Sequence, residues 1–167
     1  MTTLIFFLFG LIWLIGYSLY IAMMYGIQPS FSDSYYKVKH LFTVTMFVLT
    51  FSFIVPMMDA TKGQWWQFVS LLTIAPIAFV GVAAAFKEGG LTENVHMRSA
   101  WTSAIMSLLW IVLSMIHINP WTIIAVPLSA LTFGCFYILD NRQNSVWWME
   151  YACFGWMIGG VAIALWK

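Results

Sequence analysis

Glu150 is a carboxylate about one helical turn inside an apolar stretch, just after Trp147 and Trp148. At that depth a charge is costly unless it is paired, protonated or wetted. Helical spacing leads from Glu150 to Cys153, Met157, Gly160 and Ala164. Such a mostly small stripe packs against other helices rather than lipid, so Glu150 is expected to face inward. His96 heads another apolar stretch, and Ala100, Ser103, Ser107 and Ser114 follow it on one helical face. That face is small and weakly polar, which turns His96 inward as well. Between the first two apolar stretches lies GIQPSFSDSYYKVKH, residues 26–40, with Ser32, Asp33, Tyr35 and Tyr36. Together with Lys87 these residues offer acids, a base, a cation and hydroxyls. They suit a lipid headgroup, a metal, or a lock between helices.

The elements that must position these groups are membrane helices. The chain has 167 residues, 62% of them apolar and 8% charged, and its mean hydropathy is +0.88. A soluble domain carries about 25% charged residues. The expected fold is therefore all-α, a single polytopic transmembrane domain over residues 1–167. A bilayer core of about 30 Å takes roughly 20 apolar residues per helix, which gives six spans at about 4–27, 40–58, 65–86, 97–117, 121–139 and 146–166. The first span has no basic segment before it and exceeds signal-peptide length, so it is expected to stay in the mature protein. Tryptophans at many span ends (Trp65, Trp66, Trp101, Trp121, Trp147, Trp148 and Trp166) read as an interfacial belt. Residues 28–39 and 87–96 read as the two longer connections, and His117-Ile118-Asn119-Pro120 as a tight turn.

With six spans, Lys37, Lys39, Lys87, Arg98 and Arg142 share one side, and only Lys62 and Lys167 lie opposite. The positive-inside rule then places both termini outside the cytoplasm; in a bacterium this would be the inner membrane. Asp33, His40, Glu88, Glu93, His96, Asp140 and Glu150 fall on the same side as the larger basic group. A net charge of +1 gives nucleic acid no purchase. Cys135 and Cys153 both lie in apolar runs and form no CxxC motif.

Sharper chemistries find less in the sequence. Zinc could draw on His40, His96, Asp33 and Glu150, but HxxxH and HExxH pairs are absent. GxSxG, P-loop and GxGxxG patterns are absent too, and no cofactor is implied. Pro76 and Pro127 could break helices as in a carrier.

Four short motifs then fall in a familiar order. Pro29-Ser30-Phe31-Ser32-Asp33 resembles the P-x-I-S-D motif of the DRAM/Sfk-like (FRAG/DRAM/Sfk) six-span membrane family, which includes GPI-lipid remodelling factors. Ala85-Phe86-Lys87 is similar to its N-F-x segment, His96-Met97-Arg98-Ser99-Ala100 to its H-x-x-x-A, and Glu150-Tyr151 to its acidic-aromatic pair. Phe31, Ala85 and Tyr151 depart from that pattern. Small bacterial membrane proteins look similar as well. The resemblance implies lipid remodelling, lipid asymmetry or scaffolding of lipid enzymes, and it carries over Ser32, Asp33, Lys87, His96 and Glu150. The expected function is to bind or organise membrane lipid through a one-sided polar vestibule of Ser32, Asp33, Tyr35, Lys87, His96 and Glu150. There, Lys87 engages phosphate, His96 pairs with Glu150 and Asp33 pins the first loop. Membrane lipid is the expected partner, with other membrane proteins alongside it. The alternatives are a membrane-embedded lipid hydrolase, zinc-dependent or not, and a small transporter or channel.

Overall fold

The computed structural model describes the backbone of residues 1–85 and 90–166, with side chains for all of these except 84–85 and 90–94. Among the described residues the chain is helical without strands. The helices are α1 (Thr2–Tyr25), the single turn α2 (Tyr35–Val38), α3 (His40–Ala60), α4 (Phe68–Ala85), α5 (Gly90–His117), α6 (Ala125–Leu139) and α7 (Ser145–Leu165). Two 3₁₀ segments, Ser32–Ser34 and Pro120–Ile124, precede α2 and α6. Five stretches are long and apolar enough to cross a membrane: Thr2–Tyr25, His40–Ala60, Val95–His117, Pro120–Leu139 and Ser145–Leu165. They suggest an integral membrane protein. The apolar part of α4, Phe68–Ala83, is shorter.

Each boundary has a local cause. Helix α1 ends where Gly26 takes φ 76°, a conformation that costs glycine little. The Gln28 side-chain amide then donates to the Tyr25 and Gly26 carbonyls, both at 2.9 Å, covering acceptors that a helix end leaves open. The tight turn after α5 is capped by Asn119, whose side chain accepts from the Trp121 amide at 3.0 Å, with Pro120 in the first position of the 3₁₀ segment. Pro56 and Pro76 sit inside continuous helices, and Pro127 lies in the first turn of α6. The connection expected over 87–96 is shorter than that, because α5 already begins at Gly90. Hydropathy marks only the apolar part of a helix, and the polar residues before 97 extend it.

Neighbours in sequence pack together: α1 on α3, α3 on α4, α4 on α5 and α6 on α7, while α7 also reaches back to α3 and α5. On α1 the buried residues Phe7, Gly10, Leu14, Tyr17 and Ile21 alternate steps of three and four, the seam of a helix that faces one partner. A Cβ on Gly10 would meet the Ser52 Cβ at 2.7 Å, and one on Gly81 the Met46 Cβ at 2.6 Å. Glycine lets α1 and α4 approach α3 closely there, as small residues do between membrane helices. Indole N–H groups stitch the helices further. Trp13 donates to Thr45 Oγ1 at 3.2 Å, Trp110 to Ser70 Oγ at 2.9 Å and Trp156 to Ser107 Oγ at 2.8 Å. A buried indole leaves no N–H unmatched in such a pairing, so size and polarity are satisfied together.

The aromatic belt needs correcting. Trp65, Trp101, Trp121 and Trp166 are exposed, as a belt requires, but Trp66 and Trp147 are buried at 0% and 3% exposure. Trp66 packs edge-on to Trp110, and Trp147 packs on Phe31 and Tyr151. Both are core residues that happen to lie near helix ends.

Candidate functional site

The first loop is held down by its backbone. The Phe31 amide donates to Glu150 Oε2 at 2.5 Å, and the Trp147 amide donates to the Pro29 carbonyl at 3.2 Å. The first of these is the shorter of the two. Ser34 Oγ donates to the Phe31 carbonyl at 2.6 Å and pairs with the Tyr17 hydroxyl at 2.6 Å. The Tyr151 hydroxyl donates to Ser18 Oγ. Hydrogen bonds thereby join the loop to α1 and to α7, and α7 to α1.

Phe31 is the hub of this region. It is 3% exposed, and the rings of Tyr17, Phe42, Trp147, Tyr151 and Phe154 surround it with centroids 5.4–5.9 Å away. Aromatic pairs at such spacings are favourable beyond simple burial. The ring therefore anchors the loop while its amide engages the carboxylate.

Beside this plug lies a cavity of about 340 Å³. Its walls include the faces of α5 and α7 that the sequence pattern picks out, Ala100, Ser103 and Ser107 on one side and Glu150, Cys153 and Met157 on the other, together with Met46 of α3 and Ile77 and Val80 of α4. Met97, Trp101, Ile105, Leu108, Met149 and Phe154 add apolar surface, and Ser30, Phe31 and Ser32 close the loop end. The far end closes where α5 meets α7, because a Cβ on Gly160 would lie 3.1 Å from Ile111 Cγ1. Along α5 the lining runs from Met97 to Leu108 and along α7 from Val146 to Met157. Each stretch advances eleven residues, or about 16 Å at 1.5 Å per residue. That is close to half of a hydrocarbon core of about 30 Å.

The expected site residues separate as follows. Glu150 and Ser32 line the cavity. Asp33 is half-buried beside them, and its backbone N–H donates to Ser30 Oγ at 3.1 Å. Tyr35 stacks edge-on against Tyr36 and Phe42. His96 is half-buried one turn before Ala100, and Glu150 accepts from the Phe31 amide. Lys87 lies outside the described residues. His40 is exposed at the start of α3. Ser30 and Phe31 are the residues the site reading passed over. Their signal is a phenylalanine set between two serines in the loop.

Cys135 and Cys153 are both free. Among the described residues no three His, Cys, Asp or Glu side chains gather closely enough to hold a metal ion. The zinc-hydrolase alternative gains nothing from this donor set.

No protein-family model, curated protein or solved structure matches the chain.

Proposed function

We propose that the protein is a six-span integral membrane protein that binds a membrane lipid, one acyl chain entering the cavity between α5 and α7 while the headgroup rests on the first loop. The observation that carries this reading is the cavity itself. It is apolar along a length of about half a bilayer core, and its polar side chains include Ser30, Ser32 and Glu150 at the loop end. Its volume of about 340 Å³ falls in the range of ligand pockets, about 300–1,000 Å³. The order of motifs that resemble those of the FRAG/DRAM/Sfk family supports a lipid-linked role, and so does the expected placement of most ionisable residues on the side of the first, third and fifth loops. In this reading that side faces the cytoplasm and both termini lie opposite.

The test fills the cavity. Ala104 is half-buried in the α5 wall, and Ala104→Trp places an indole where the chain would run. Purified protein analysed by native mass spectrometry should carry bound phospholipid, and the variant should carry about tenfold less, the equivalent of losing about 1.4 kcal/mol. Undiminished lipid on a folded variant would remove the cavity from the mechanism.

A further inference from the structure

The occupant of the cavity has to answer a charge as well as a shape. Glu150 uses Oε2 to accept the Phe31 amide, and its Oε1 takes part in no hydrogen bond among the described residues. Asp33 follows Ser32 in the same loop and is half-buried, which brings a second acid to the same end. No Lys, Arg or His among the described residues lines the cavity. Ser30 and Ser32 pair their hydroxyls at 2.9 Å; Ser30 Oγ already accepts the Asp33 N–H, and Ser32 Oγ keeps a lone pair for a further hydrogen bond. A charged Glu150 bordering an apolar space is costly unless it is paired, protonated or wetted. A cation with several N–H donors would supply the pairing.

We infer that the lipid held here carries a primary ammonium headgroup, as phosphatidylethanolamine does, with the ammonium received by Glu150 and the Ser30–Ser32 pair. The inference rests on the lipid-binding reading above and narrows it to one headgroup class. The ammonium donates to Oε1 and to a serine oxygen, the phosphodiester stays at the mouth, and one chain follows α5 and α7 inward. An anionic headgroup such as phosphatidylglycerol would set its phosphate near two acids with no ammonium to offset them.

The experiment is a competition on the delipidated full chain in detergent, read by native mass spectrometry. The probes are dioleoyl phosphatidylethanolamine and dioleoyl phosphatidylglycerol at equal concentration. Wild type should retain the amine lipid about tenfold over the glycerol lipid, as one charge-assisted hydrogen bond allows. Glu150→Gln keeps an oxygen for the Phe31 amide and removes the charge, so it should bind both lipids equally. N-acetylation of the ethanolamine lipid, which alters no protein residue, should erase the preference as well. Free ethanolamine, a cation without chains, should not displace the lipid, and displacement would overturn the assignment to a lipid. Equal retention of both lipids by wild type, or a preference that survives in Glu150→Gln, overturns the ammonium assignment and leaves lipid binding standing. Failure of wild type to hold either lipid ends both readings.

Discussion

The two ends of the helix bundle each bury a large ring, and they do so by different means. At the loop end Phe31 sits among five aromatic rings, and its backbone amide is tied to Glu150. At the opposite end Trp66 is fully buried against Trp110 and near His117, but its own indole N–H has no hydrogen-bond partner among the described residues, and neither has the buried Ser114 hydroxyl. One ring is fixed by a polar tether and borders a cavity. The other is fixed by packing, with Thr61, Ser70 and Trp110 joined by hydrogen bonds alongside it. The contrast teaches that a tether permits open space beside a ring, whereas an untethered ring depends on the fit of its surroundings.

The contrast breaks most sharply at Phe31. Phe31→Ala removes the hub of the aromatic cluster and should cost about 3–5 kcal/mol of stability, measured as unfolding in mixed detergent micelles. A loss below about 1 kcal/mol would mean that the surrounding rings hold the loop end without it. Cutting the tether alone should cost less. Glu150→Ala strands the Phe31 amide and should destabilise by about 1–3 kcal/mol, while Glu150→Gln, which still accepts that hydrogen bond, should lose clearly less. Equal losses in the two variants would show that charge, rather than the bond to Phe31, is what stabilises the loop. The smallest effect belongs to the other end. Trp110→Phe gives up the bond to Ser70 and should cost about 0.5–1.5 kcal/mol from that bond. Trp66→Phe gives up no hydrogen bond and removes an unsatisfied donor, so it should cost less than Trp110→Phe in the same assay. The reverse order would indicate that Trp66 contributes through its size alone.

Much of this arrangement is visible in the sequence where small or polar residues mark a face. Ala100, Ser103 and Ser107 stand out on an apolar helix, and so do Glu150 and Cys153, and all five line the cavity. The Asn119-Pro120 turn is equally plain, because a cap and a proline leave few alternatives. The helix starts and ends near 40, 60, 117, 139 and 145 follow the apolar runs. Burial is another matter. On α1, Phe7 and Leu14 are buried while Phe9 and Ile12 are exposed, and in a stretch this apolar no change of polarity separates the two faces. Trp66 and Trp147 were hidden for the same reason, since an indole near a helix end suits either an interface or a core. The importance of Phe31 depends on five rings from α1, α3 and α7, a meeting that no local pattern encodes.

The amide of Phe31 and the carboxylate it meets are 119 residues apart. During synthesis the first loop therefore emerges long before its last helix exists. Until α7 is threaded into place, Phe31 lacks Trp147, Tyr151 and Phe154, and its N–H lacks an acceptor. Chains halted before residue 145 would present an aromatic side chain with an unfinished socket.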